Sequence, residues 1–373
     1  MGSRFTNTPL TGRLAAPALG CIALAGSLCS SSALAAGEPG WRLLGFTNFA
    51  SFDARVDASG KVQLDSPVLD PGLDWDEAVF SWNAELGTTA RLEIQARVLG
   101  AGRSTDFYSL GRWTRHPGPA RGSVVDQQDA EAEVLTDILR LRVPARSLQI
   151  RCLQEPGDGD ASHLKFLAVA LVSPGFPSRS RTGSVASAIG PLPVPQRCQL
   201  DFSSGDAWCS PTCVSMVLAY WADRVDRPEL AIDGEDVAMG VDDPNWPGTG
   251  NWSFNMAYVG SLPGVRAQVA RLGGVEDLEA WLRLGVPVAA SVAYGVLKTG
   301  TREEDDGHLV VVTGIMTDGA VVLNDPGSRL EPTRMVARDR FAAAWAASRN
   351  TVYVIHPAGL PVPGELLERW WIR

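Results

Sequence analysis

Between residues 173 and 195 the chain reads SPGFPSRSRTGSVASAIGPLPVP, rich in Pro, Gly and Ser and without hydrophobic periodicity. A segment of that make-up joins or wraps packed elements rather than forming one, so it divides the chain into two parts. A length of 373 residues is itself more than one ordinary core fills. On these grounds the predicted organisation is a targeting segment at 1–36, an all-β domain at 37–173, a linker at 174–194, a second domain at 195–359 and a tail at 360–373.

The first 36 residues carry Arg4 and Arg13, then an apolar stretch over 14–28, then Ser30-Ser31-Ser32-Ala33-Leu34-Ala35-Ala36. That order is a secretory signal with cleavage near Ala35 or Ala36, and it predicts a secreted or periplasmic protein. Lipoprotein-type cleavage before Cys21 is the alternative. No later apolar run approaches the ~20 residues that span a bilayer. The net charge of -9 and the absence of a Lys/Arg cluster exclude a nucleic-acid surface, because phosphate binding needs a concentrated positive field. With 45% apolar and 20% charged residues, the chain can bury a core.

Short alternating apolar runs at 46–52, 61–64, 77–82, 90–99, 138–143, 148–153 and 163–172 predict a β-sandwich of jelly-roll type. Trp75, Trp82, Tyr108 and Trp113 are expected in its core rather than on an aromatic binding face. Past the linker the pattern changes. Residues 210–222 have apolar side chains at Cys213, Val214, Val217, Leu218 and Trp221, a helical spacing with Pro211 in its first turn. A helix at 275–284, strands at 286–294, 308–315 and 320–324, a helix at 339–347 and a strand at 351–355 complete an α+β unit.

Thiolate, not thiol, attacks a carbonyl, and the unpaired N–H groups of a helix start favour it. Cys209, in Ala207-Trp208-Cys209-Ser210-Pro211-Thr212, has that position, whereas Cys213 lies a turn inside. His308 opens an apolar strand in Asp306-Gly307-His308-Leu309, and Asp325 follows the next strand in Leu323-Asn324-Asp325-Pro326-Gly327. If 316–319 is a four-residue hairpin loop, Ile315 pairs with Ala320, His308 faces Gly327 and Asp325 stands two positions away on the same face. A two-residue turn at Asp318-Gly319 widens the offset but keeps the face. A carboxylate beside an imidazole fixes its tautomer, which a cysteine–histidine pair requires.

Four cysteines follow the signal, namely Cys152, Cys198, Cys209 and Cys213. In an exported protein they first suggest two disulfides, and one disulfide, for example Cys198 with Cys152 or with Cys213, is compatible with a free Cys209; the pairing is left open. A metal site from His308, Asp305, Asp306 and Asp325 is the rival reading of the same region. The other histidines, His116, His163 and His356, are scattered, no His-x-x-x-His or Cys-x-x-Cys pair occurs, and no metal or cofactor is expected.

The run from Val194-Pro195 through Gln199 to Trp208-Cys209-Ser210-Pro211-Thr212 and Ser215-Met216-Val217-Leu218-Ala219-Tyr220-Trp221, with the later Gly-His-Leu-Val-Val-Val and Asn-Asp-Pro, resembles the C39-like group of papain-fold cysteine peptidases. The resemblance covers about 195–357. It implies a helix packed on an antiparallel sheet, a Cys209–His308–Asp325 triad, and Gln199 lining an oxyanion hole, with Gln196 a weaker match. It also implies a peptide or protein substrate, with cell-wall material as a second class, and the upstream domain resembles accessory regions of exported bacterial peptidases. Ser210 stands where many members have Gly, and no transporter portion is present. A monomer is expected. Two alternatives keep the same residues: a non-catalytic wall- or protein-binding protein on this scaffold, and a peptidoglycan amide hydrolase or acyltransferase.

Overall fold

Strands read off a period of two bury alternate residues, as Leu92, Ile94, Ala96 and Val98 do between the outward Arg91, Glu93, Gln95 and Arg97. The computed structural model describes residues 40–373 except 101, 159–161, 178–187, 247 and 304–306. The targeting segment, residues 178–187 of the linker, and Asp305 and Asp306 therefore lie outside the described residues.

The first part contains β1 (Trp41–Phe46), β2 (Asp53–Val56), β3 (Val62–Asp65), β4 (Trp75–Glu85), β5 (Arg91–Gly100), β6 (Arg103–Ser104), β7 (Tyr108–Thr114), β8 (Ala132–Leu135), β9 (Ile138–Ala145), β10 (Ser147–Glu155) and β11 (His163–Val172). The second part contains α1 (Cys209–Arg224), α2 (Gly234–Val241), α3 (Trp252–Ser261), β12 (Val265–Arg271), α4 (Val275–Arg283), β13 (Val288–Ala293), α5 (Tyr294–Thr299), β14 (Gly307–Ile315), β15 (Val321–Asn324), β16 (Thr333–Val336), α6 (Arg338–Ala346), β17 (Thr351–Pro357) and β18 (Trp370–Ile372).

They form three six-stranded sheets. One, ordered β2-β3-β10-β5-β6 with β7 also on β5, packs across an apolar cluster onto a second, ordered β18-β1-β11-β4-β9-β8. Trp75, Trp82, Tyr108 and Trp113 are all buried there, as expected of core aromatics. The third sheet, β12-β17-β13-β14-β15-β16, carries α1 along β14, β13 and β17. Residues 360–373 do not hang free: Leu43 pairs with Trp370 and Gly45 with Ile372, so the last strand among the described residues lies parallel to the first.

Strands β4 and β11 lack the polar alternation of β5 because both of their faces are covered. Phe80, Trp82, Leu167 and Val169 point into the cluster between the first two sheets. Val79, Phe166, Ala168 and Ala170 join the cluster of the third sheet and its helices. Two polar residues of β4 have a separate task. β12 is an edge strand, and its outward N–H and C=O groups need partners once buried. The Asn83 side chain donates to Ala267 O at 2.7 Å and accepts from Ala267 N at 3.1 Å, and Ser81 Oγ accepts from Val269 N at 3.1 Å. Buried Arg271 pairs with Glu77 at 2.5 Å across the same junction.

Phe254 of α3 completes the joint. Its ring packs edge-on to Trp82 and Trp113, with centroids 6.2 and 5.2 Å away. A Cβ on Gly111 would come within 2.9 Å of that ring, and Gly111 has φ +135°, so only glycine serves there. By contacts Pro39–Arg373 is one unit.

No disulfide joins the described cysteines: Cys152, Cys198, Cys209 and Cys213 are all free. Cys152 lies in the cluster between the first two sheets, and Cys213 in that of the third. Burial pushes the Cys152 thiol up to about 12. Among the described residues no helix is long and apolar enough to cross a membrane.

Because the two parts share buried side chains, they should melt together. Phe254→Ala is expected to cost about 3–5 kcal/mol and to leave a single transition in urea. Two-step unfolding of the unmutated chain, with the first two sheets surviving, would show that the joint does not couple the parts.

Candidate active site

The loop into α1 is shaped by a close approach. A Cβ on Gly205 would fall 1.7 Å from Gln199 O, so this position must be glycine. The buried Gln199 side chain donates from Nε2 to the carbonyls of Gly205 and Asp206, both at 2.9 Å, while its Oε1 finds no partner among the described residues. Its backbone N–H reaches Pro326 O at 2.9 Å. Gln199 thus ties the turn before Cys209 to the turn after Asp325. Gln196 is exposed and bonds Thr333 instead.

Helix α1 begins at Cys209, and Pro211 falls within the first turn, where a missing N–H costs no helical bond. Ser210 through Ala222 are all buried, so the helix is apolar nearly all round rather than striped. Cys209 alone of its first turn is only half-buried. Ser210 pairs its hydroxyl with Tyr353 Oη at 2.9 Å, which satisfies it in the core, and Trp221 Nε1 donates to Ile355 O at 2.8 Å, pinning the helix to β17.

His308 and Asp325 are set by the β14–β15 register. Val311 pairs with Asn324 and Val312 with Leu323, the pairing expected from a four-residue loop. Nearer the turn the register departs from that expectation: Ile315 pairs with Val321, not Ala320, and a bulge between Val312 and Gly314 absorbs the extra residue. The site end of the hairpin keeps its register, so both side chains share a face.

His308 Nε2 lies 2.9 Å from Asp325 Oδ1. The same carboxylate oxygen accepts Gly327 N at 2.9 Å, and Oδ2 accepts the Tyr294 hydroxyl at 2.8 Å. Arg334 Nε stands 3.0 Å from Oδ2, a charge contact whose N–H is not aimed at the oxygen. Asp325 is 1% exposed and His308 6%. The Tyr294 ring covers the imidazole at 4.0 Å between centroids.

With Nε2 taken by Asp325, Nδ1 is the ring nitrogen left to face Cys209, whose ionised form His308 favours. Burial raises the Cys209 thiol, but the bond to His308, its charge, and the N–H groups of Leu309 and Ser210 outweigh it and bring the thiol below its ordinary value. Burial depresses the His308 imidazolium, yet its bonds to Asp325 and Cys209 carry it up to about 9. Burial likewise raises the Asp325 carboxyl, and His308 and Tyr294 together pull it below the usual range. Cys213, one turn on, is pushed well up by burial and stays a thiol.

Tyr294 and Arg334 were not legible as site residues. Tyr294 closes an apolar run, and only the pairing of Val292 with His308 reveals that it lies two positions past the histidine's partner. Arg334 arrives on β16 through its pairing with Leu323. Among the described residues no group of three or more His, Cys, Asp or Glu could hold a metal, and Asp305 and Asp306 of the rival metal reading lie outside them.

A solved structure described as a C39-like peptidase from Bacillus anthracis is 18% identical over 44% of this chain and 95% of that one, at a TM-score of 0.35, a likeness too partial to argue from. No curated protein matches the chain. Residues 53–171 match the family model described as the Peptidase C39 N-terminal domain, and residues 191–353 match that of the Peptidase_C39 like family. The second match spans the segment that brings Cys209, His308 and Asp325 together, and the two matches in succession make 53–171 and 191–353 similar to the two parts of the C39-like peptidases.

Proposed function

We propose that the chain is an exported cysteine peptidase that hydrolyses amide bonds with Cys209 as nucleophile, His308 as general base and acid, and Asp325 as the group that orients the ring. The observation that carries this reading is the half-buried thiol on an imidazole whose far nitrogen is bound to a buried carboxylate at 2.9 Å. The raised imidazolium and lowered thiol favour a thiolate–imidazolium pair, the reactive form.

In the proposed sequence the Cys209 thiolate adds to the amide carbonyl. The oxyanion meets the Cys209 N–H, which has no helical partner in the first turn. His308 then gives its proton to the departing amine, and later takes one from the water that cleaves the thioester. Asp325 stays ionised throughout. Gln199 is the second oxyanion donor proposed, and because both its N–H groups hold the Gly205 and Asp206 carbonyls, it trades one of those bonds when substrate arrives.

The same reading takes the second part as a papain-like α+β domain, the first two sheets as a β-sandwich accessory domain, and 1–36 as a removed signal, with a peptide or protein as substrate. A monomer fits a site completed within one chain.

Cys209→Ala should abolish both peptide hydrolysis and labelling by a thiol-directed affinity probe; turnover surviving in that variant ends the proposal. Gln199→Ala should lower kcat about 10²-fold with KM little moved if its amide meets the oxyanion, whereas a fall in melting temperature with kcat unchanged would make it a loop brace only.

The pH profile is a further check. Activity needs His308 charged and Cys209 ionised, so kcat/KM should fall on the alkaline side as pH passes about 9. The folded imidazolium is raised, so its contribution to stability is complete below the free imidazole value and is lost as pH rises through that same region. Asp325→Asn removes the bond that raises it, and the alkaline limb should move to lower pH; an unmoved limb would assign it to another group.

A further inference from the structure

We propose that the accessory sheet supplies one wall of the substrate cleft, and that Arg140 on it selects a substrate residue with an aliphatic stem and a terminal carboxylate, as a glutamate side chain has. This rests on the catalytic reading above, since it concerns the space beside the same histidine.

The strand that carries His308 and its neighbour end side by side, Val292 opposite His308 and Ala293 opposite Gly307. A cavity of about 390 Å³ opens at that end, bounded there by Val292, Ala293 and Gly307. Its far side is made by Ile138 and Arg140 of β9, and Trp252 at the start of α3 lies between. The wall from β9 is held in place: Asp137, at the turn into that strand, accepts the backbone N–H groups of Trp252 and Ser253. A peptide that entered this cavity on its way past Gly307 to Cys209 would touch both parts of the protein.

The charges in the wall are unevenly committed. Glu77 meets Arg271 at 2.5 Å, Arg140 at 3.3 Å and Arg349 at 3.8 Å, so it is fully engaged. Arg349 is engaged in turn by both oxygens of Asp76, at 2.6 and 3.0 Å. Arg140 donates one hydrogen bond, from Nε to Glu77 Oε2 at 3.3 Å, its Nη1 stands 3.7 Å from Glu133, and its side chain is 47% exposed. Across the mouth Arg302 is exposed and makes no ion pair among the described residues. Glu303 also borders the cavity, so among the described residues its lining holds three guanidinium groups and two carboxylates. Trp252, Ile138 and Val292 provide the apolar floor. An apolar floor with loosely held N–H donors at the rim suits a methylene stem ending in a carboxylate.

The test digests a degenerate peptide library with the full chain and reads cut positions by mass spectrometry. Binding of matched Glu and Gln peptides to the Cys209→Ala protein is measured by fluorescence anisotropy. Glu should be enriched at one position near the cut, and the Glu peptide should bind about three- to tenfold tighter than its Gln counterpart, the worth of a half-exposed ion pair. Arg140→Gln should remove that preference, and R140E should transfer it to Lys, with melting temperatures close to the parent. Arg146→Gln, on the exposed Arg146–Asp70 pair, should change neither. Cys209-dependent cleavage without a Glu preference, or a preference that both Arg140 variants retain, overturns the assignment. Loss of any Cys209-dependent cleavage would instead remove the catalytic reading, and the assignment with it.

Discussion

A carboxylate that is 1% exposed cannot remain ionised without partners, and the environment of Asp325 is organised around supplying them. His308, Gly327 N–H and the Tyr294 hydroxyl each occupy a lone pair, and the Arg334 charge stands behind. Each partner comes from a different place: β14, the turn after β15, the start of α5, and β16. Satisfying one buried group therefore fixes four segments of the sheet relative to one another. The imidazole held by that group is the one on which the Cys209 thiol rests.

The accessory part is joined to this unit by the same physics of unmet backbone groups. An edge strand buried against another sheet would leave N–H and C=O groups without partners, and here the side chains of Asn83 and Ser81 replace the missing strand. The apolar Phe254 and the paired Glu77–Arg271 fill out the junction. The parallel pairing of β18 with β1 then binds the two ends of the described chain into one sheet. An arrangement of this kind does not favour free swinging of one part against the other, which is why a wall of the cleft can be built from β9.

Much of this was legible from local pattern. A period of two located β5, β10 and β11 closely, and the strand over 163–172 has the bounds expected of it. Helical spacing located α1, though it is buried nearly all round and its stripe is correspondingly weak. The α3 helix was not legible: it is buried on most sides, with Ser253 and Asn255 buried among its apolar residues, and a helix without an exposed polar face carries little periodic signal. Residues 360–373, expected as a tail, contain a strand whose partner is more than 300 residues away, a pairing invisible to any local window.

By itself the sequence determined the elements that bear Cys209, His308 and Asp325, because burial by face leaves a period in the chain and a hairpin keeps parity over its length. It did not determine the disulfide state, since the reach between thiols depends on which core each enters. The tertiary structure alone decided that the Thr313 bulge would absorb the extra residue of the turn, and that Gln199 would hold the Gly205 and Asp206 carbonyls. It also decided that Tyr294 and Arg334 would meet Asp325. Those outcomes, whether between residues six apart, as Gln199 and Gly205, or 31 apart, as Tyr294 and Asp325, were settled by loop closure and the need to satisfy buried polar groups, neither of which leaves a mark on local composition.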